Sequence, residues 1–180
     1  VAEPPLDLLM RLIWETGFRF AEAATLRACD IDLGESLVAV VPRGSFRPKT
    51  RNSQRRVPIS QSLVGDLIAL ATVTDAPLFA CGDNNPYPYW RHRLRKAQRE
   101  AAVRDFKFQD LRRAVADRLR RSGVTVDVYC KMMGHSPITG LRHYSIVDND
   151  DLRDAHEAGM ANGRKRRLRP PKVKASRLDS

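Results

Sequence analysis

Residues 133–144 read MGHSPITGLRHY, and the order of groups in this stretch sets the reading of the whole chain. Gly134 sits where a preceding helix should stop, and Ser136-Pro137 restarts the chain just after His135. Glycine suits a left-handed helix end and proline suits a first helical turn, so the pair marks a break and a resumption. His135 is thereby set at a corner. A short helix is expected over Pro137–Arg142, leading to His143 and Tyr144. Working outward, arginines recur upstream in FQDLRRAVADRL (residues 108–119) and in TGFRFAE (residues 16–22).

The remaining elements follow from periodicity. Leu6, Leu9, Met10, Ile13 and Trp14 lie at helical spacing behind Pro4-Pro5, which predicts a helix ending near Thr16-Gly17. A short helix is expected over Ala21–Arg27, with Leu26 facing in and Asp30 closing it. Leu37–Val41 and Arg55–Ile59 read as an antiparallel pair, joined by the basic loop PRGSFRPKTRNSQ. Further helices are expected from Ser60 to about Ala71, Tyr89 to Ala102, Phe108 to Arg121, Val124 to Met133, and Asp148 to Met160. The expected fold is mainly α with a small antiparallel β-sheet, an α+β domain over residues 1–160. Residues 161–180 form a basic tail too polar and proline-broken to fold alone.

Composition narrows the function. The formal charge is +11, which favours polyanionic partners, nucleic acid first. Between Met160 and Ser180 there are eight basic residues and one acid, so the tail carries +7 of that charge. Two further clusters lie in the folded region: Arg43, Arg47, Lys49, Arg51, Arg55 and Arg56, then Arg91, Arg93, Arg95, Lys96 and Arg99. Three cysteines without paired spacing indicate neither a disulfide framework nor a zinc site. Cys29 and Cys130 are expected to be buried apolar residues. No apolar run approaches the roughly 20 residues that span a bilayer, and no Gly-rich phosphate loop is present.

Breaking a phosphodiester without a metal requires a nucleophile, cations for the non-bridging oxygens, and an acid for the leaving oxygen. Tyrosine can be the nucleophile, giving a phosphotyrosine that keeps the bond energy for religation. Arginines clamp phosphoryl oxygens bidentately, which a lysine point charge does less well. A lysine on a hairpin can protonate the leaving oxygen.

In this arrangement the chain resembles the catalytic domain of the tyrosine recombinase (phage integrase) family. TGFRFAEAATLRACDID resembles that family's first box, with Arg19 at the first catalytic arginine and Glu22 at the acidic position after it. RPKTRNSQRRVPI resembles its β-hairpin and places Lys49 at the catalytic lysine. QDLRRAVADRLRRSGV resembles the second box, with Arg112 as the second arginine. MGHSPITGLRHY resembles the closing box, with His135 at the histidine-or-tryptophan position and Tyr144 at the nucleophile. One position departs: the family's second box opens with histidine, and here Gln109 stands there. Glutamine donates a hydrogen bond but shuttles no proton, so weakened or retuned chemistry is expected.

What the resemblance implies is site-specific DNA recombination through a 3′-phosphotyrosyl link, without cofactor or metal, on double-stranded DNA. Arg19, Lys49, Arg112, His135 and Tyr144 are the implied catalytic set, with Glu22 and Gln109 in support. Arg43, Arg47, Arg51, Arg91 and Arg95 are the candidate DNA contacts, and no small-molecule ligand or membrane is expected. A homotetramer on paired sites is implied, working in the cytoplasm at the nucleoid, together with a core-binding domain ahead of Val1. The alternatives are a binding-only module that kept the fold, supported by Gln109, and a relaxing type IB topoisomerase.

Overall fold

The computed structural model describes residues 5–43, 53–71, 76–81, 85–144, 149, 152–153 and 155–160, without the side chains of His143 and Tyr144. It is mostly helical with a three-stranded antiparallel sheet. The chain divides into two units, Val1–Tyr144 and Ser145–Ser180. In the second, residues 155–160 are helical, within the helix expected over Asp148–Met160. Lys49, Arg47, Arg51 and the tail from 161 onward lie outside the described residues.

Helix α1 (Leu6–Thr16) is organised by one apolar stripe. Leu8, Leu9, Leu12 and Ile13 are buried, and Gly17 closes the helix by donating its N–H to the Ile13 carbonyl at 2.8 Å. Trp14, expected to face inward, is 44 % exposed. The stripe is rotated by one position, and Arg118 covers the indole face at 4.8 Å while donating to the Trp14 carbonyl. Helix α2 (Phe20–Ala24) follows, shorter than expected, then a 3₁₀ turn at Ala28–Asp30.

The sheet comprises β1 (Ile31–Asp32), β2 (Leu37–Val40) and β3 (Arg55–Pro58), in that spatial order. Val38 lies opposite both Ile31 and Val57, and Val40 lies opposite Arg55. Side chains alternate across a strand. Val38, Val40 and Val57 therefore enter the core, and Arg55 shares their face.

Helix α3 (Gln61–Leu70) starts at Ser60, whose hydroxyl accepts the Leu63 N–H. Helix α4 (Tyr87–Glu100) buries Trp90, Leu94 and Gln98 beneath an otherwise charged surface. The Trp90 indole N–H donates to the Phe79 carbonyl at 3.2 Å, which satisfies its one polar atom inside the core. Helices α5 (Phe108–Arg121), α6 (Val126–Met133) and α7 (Pro137–Tyr144) complete the unit. Val115, Tyr129, Cys130 and Met133 form a second apolar cluster. Cys130 is buried as expected, but Cys29 is exposed.

The corner after α6 is the expected one. Gly134 adopts φ +62, a left-handed conformation, and donates its N–H to the Cys130 carbonyl. A Cβ there would also lie 2.6 Å from Arg55 Nη1, so both the turn and its neighbour require glycine. The Ser136 hydroxyl accepts the Thr139 N–H at 3.2 Å and opens α7.

A candidate phosphate-cleaving site

One buried carboxylate gathers the functional cations. Glu22, the third residue of α2, accepts the Arg19 backbone N–H at 2.8 Å through Oε2, and so closes the helix start on itself. Arg19 Nη1 meets Glu22 Oε1 at 2.7 Å, Arg55 Nη2 meets Oε2 at 3.0 Å, and Arg112 Nη1 lies 4.0 Å from Oε2. Three guanidinium groups thus share one carboxylate. A cluster with that excess of positive charge suits an anion that completes it.

Arg112 comes from the buried stripe of α5, and only 4 % of its side chain is exposed. It donates to the Gly17 and Met133 carbonyls, the second at 2.5 Å. Its Nη2 is also 3.0 Å from His135 Nε2. Arginine carries no acceptor, so the imidazole accepts here and keeps its own proton on Nδ1. Burial first, and then the Arg19 charge, push Arg112 down to about 10, with Glu22 opposing the fall. The group stays cationic at neutral pH. His135 is held from its other side by the edge of Tyr129, with ring centroids 5.7 Å apart.

Burial acts to raise the Glu22 pKa, yet the Arg55 charge and the hydrogen bonds from Arg55 and Arg19 hold it below its ordinary 4.5. A carboxylate depressed in the folded state contributes stability in full above its unfolded pKa. That contribution is lost as pH falls through the folded value. The urea midpoint is therefore expected to drop as pH is lowered from about 5 through the carboxylate range, and Glu22→Gln should flatten that part of the curve. An identical pH dependence in the variant would refute the assignment.

Of the residues chosen from sequence, Arg19, Glu22, Arg112 and His135 come together. The backbone of Tyr144 ends α7, and Gly140, one turn earlier, packs against Cys130 of α6. Gln109 is exposed at the start of α5. Arg91 and Arg95 lie exposed on α4 and line a cavity of about 100 Å³ with Tyr87, Gln98, Phe106 and Phe108. Phe20 packs edge-to-face with Tyr87 and tilted against Phe108, at 5.1 and 5.0 Å, and so joins that basic helix to the segment beside Arg19. Arg43, the remaining candidate DNA contact among the described residues, is held within the protein. Its Nη1 is 2.7 Å from Asp30 Oδ2, so its charge is already paired within the protein.

Arg55 is the residue that sequence reasoning misplaced. In sequence it belongs to the basic cluster from Arg43 to Arg56 that favours a nucleic-acid partner, whereas its side chain is 2 % exposed. The available signal was its parity with Val57 and Ile59, which are both buried. Among the described residues no cluster of three metal-ligating side chains gathers, and no helix is long and apolar enough to cross a membrane.

A buried carboxylate ringed by arginines, with a histidine at the adjoining helix corner, is an arrangement that can hold a phosphate anion. The chain belongs to the phage integrase family, whose model matches residues 3–150. It is 29 % identical over 168 residues to the tyrosine recombinase XerC of Mycobacterium bovis, covering 83 % of this chain and 52 % of that protein. The chain thus spans about half the length of the relatives it matches. The fold is similar to the catalytic domain of bacteriophage HP1 integrase, with TM-score 0.57 and 24 % identity, covering 86 % of this chain and 82 % of that one. It is also similar to the Tn1549 transposon integrase in complex with a circular intermediate DNA. There the TM-score is 0.63 and the identity 15 %, over 84 % of this chain and 57 % of that one.

Proposed function

We propose that this chain is the catalytic part of a site-specific tyrosine recombinase that cuts and rejoins double-stranded DNA. The observation that carries the reading is the meeting of Arg19, Arg112 and His135 around Glu22, in the unit whose last helix ends in Tyr144. The Tyr144 phenol gives up its proton to solvent water as Oη attacks the scissile phosphorus and the bond to the 5′ oxygen breaks. Arg19, Arg112 and His135 stabilise the charge that develops on the non-bridging oxygens. Lys49 delivers the proton that the 5′ oxygen takes up, and Gln109 donates a hydrogen bond to phosphate. Attack by a 5′-hydroxyl of the partner strand then reverses the step and frees the tyrosine.

Arg91 and Arg95 on α4, with Arg47 and Arg51, supply phosphate contacts along the duplex. Neutralising phosphates releases counterions, so affinity falls steeply with salt. Four protomers act on two paired sites in the bacterial cytoplasm, a setting supported by the bacterial source of the XerC relatives. Recombinase and integrase names among the similar proteins favour strand exchange over simple relaxation.

The test uses nicked suicide duplexes carrying candidate sites, without divalent metal, resolved on a denaturing gel. Wild-type protein is expected to give a covalent adduct, and Tyr144→Phe to lower it by more than about 10³-fold, the scale of losing a covalent nucleophile. An adduct that survives Tyr144→Phe would remove Tyr144 from the mechanism.

A further inference from the structure

We propose that Arg55 is a positioning residue: by occupying Glu22, it keeps Arg112 turned toward the end of α6 and His135, where a phosphate can use it. The inference rests on the cleavage reading above and assigns a role to a residue outside the implied catalytic set.

The geometry is a competition for one oxygen. Glu22 Oε2 takes Arg55 at 3.0 Å, while Arg112 stands at 4.0 Å and spends its donors on the Gly17 and Met133 carbonyls and His135. A buried carboxylate that loses one cation pulls in the next, because unpaired buried charge is expensive. Without Arg55, Glu22 keeps Arg19 on Oε1, and the buried cation facing the vacated Oε2 is Arg112 at 4.0 Å. Capture by Glu22 would draw Arg112 away from Met133 and His135, at the place where the chain turns into α7.

Arg55 is built for this task. Its Nε donates to the Met132 carbonyl at 2.7 Å, its Nη1 to the Ser53 carbonyl at 2.9 Å, and its Nη2 to Glu22. The Phe18 ring lies 4.9 Å from its central carbon. A planar fork with several fixed donors can satisfy those three acceptors together, and an ammonium cannot. Arg55 also ties β3, which follows Lys49 in sequence, to the end of α6. Adjacent carbonyls of that end, Met132 and Met133, are thus held by Arg55 and Arg112 respectively. Arg55 is also the main influence holding the Glu22 carboxyl low, against the burial that would raise it.

The experiment compares wild type, Arg55→Lys, Arg55→Met and Arg55→Met/Glu22→Gln below their melting temperatures. Two readouts are taken: single-turnover adduct formation with equilibrium DNA binding, and the ¹⁵N–¹H signals of the Arg112 guanidinium without DNA. Arg55→Met is expected to slow adduct formation about 100-fold, the cost of misplacing a reacting group by about 1 Å, with duplex Kd changed less than about threefold. Arg55→Lys should fall between it and wild type.

The double variant should recover at least about tenfold over Arg55→Met, since a neutral glutamine no longer captures Arg112. The Arg112 signals should shift in Arg55→Met and return toward wild type in the double variant. A purely structural role would leave the double variant as slow as the single one, and that result would overturn the proposal. So would unshifted Arg112 signals in Arg55→Met. If wild-type protein itself forms no adduct, the cleavage reading fails, and the Arg112 signals alone decide the role of Arg55.

Discussion

Glu22→Ala is expected to destabilise the folded unit by about 3–5 kcal/mol, the cost of breaking a buried ion pair by removing one partner. Arg55 and Arg112 are almost fully buried, and each would keep its charge without the carboxylate that offsets it. Folded domains have only about 5–15 kcal/mol in hand, so this is a large share. Two further losses add to it. The Arg19 backbone N–H loses its cap at the start of α2, and Arg19 loses its ion pair. The helix cap alone is worth about 1 kcal/mol. Equilibrium urea unfolding at neutral pH measures the effect, with an unchanged slope confirming that the unfolded state is the same.

Sulfate adds a second readout. The three guanidinium groups left behind form an anion site, so sulfate should raise the variant's midpoint more than that of wild type through binding to the folded state. A loss below about 1 kcal/mol would be the value of an exposed pair. It would mean that Glu22 does not hold the cluster together.

The contrast between Glu22 and Arg55 shows what local sequence reading can reach. The corner at Gly134, the helix of Arg112 and the β-pair were legible because each rests on neighbours within a few positions. Glycine at a helix end, Ser136-Pro137 at a helix start and helical spacing are local signals, and the folded chain obeys them. Glu22 was legible for the same reason, since its closest partner, Arg19, is three residues away.

Arg55 was not, because an arginine on the inner face of a strand contradicts its own hydrophobicity. What permits it are acceptors 33 and 77 positions distant in sequence, Glu22 and the Met132 carbonyl. No window on β3 contains them. Trp14 and Trp90 show the same limit from opposite sides. Trp14 fitted the helical stripe of α1, but Arg118 of α5 covers it at the surface. Trp90 sits in a helix read mainly for its arginines, yet its indole finds the Phe79 carbonyl inside the core. In each case a contact from another element decided the outcome, and tertiary packing overrode the local pattern.

Gly140→Ala is expected to slow adduct formation by about 100-fold while leaving the fold and DNA affinity nearly intact. Gly140 is buried where α7 lies against α6, and a Cβ there would overlap Cys130 Sγ. Burial pushes the Cys130 thiol pKa up, so it serves here as an apolar packing atom. The added methyl is therefore expected to lift α7 from its seat. Such overpacking costs about 1–3 kcal/mol, which a folded domain survives. Tyr144, one helical turn along, moves with the helix, and placement of the proposed nucleophile is far less forgiving than stability.

Removing the obstructing sulfur separates these effects. With Cys130→Ala in the same chain, the atom nearest the new methyl is gone, and the next contact, Cys130 Cβ at 3.6 Å, is ordinary van der Waals packing. Gly140→Ala/Cys130→Ala should regain adduct formation to within about threefold of Cys130→Ala alone, a compensation that two independent defects would not show. A double variant as slow as Gly140→Ala would mean that the seat of α7 on Cys130 does not set the position of Tyr144. Recovery would make the absence of one methyl group on α7 the condition under which the proposed nucleophile reaches the site.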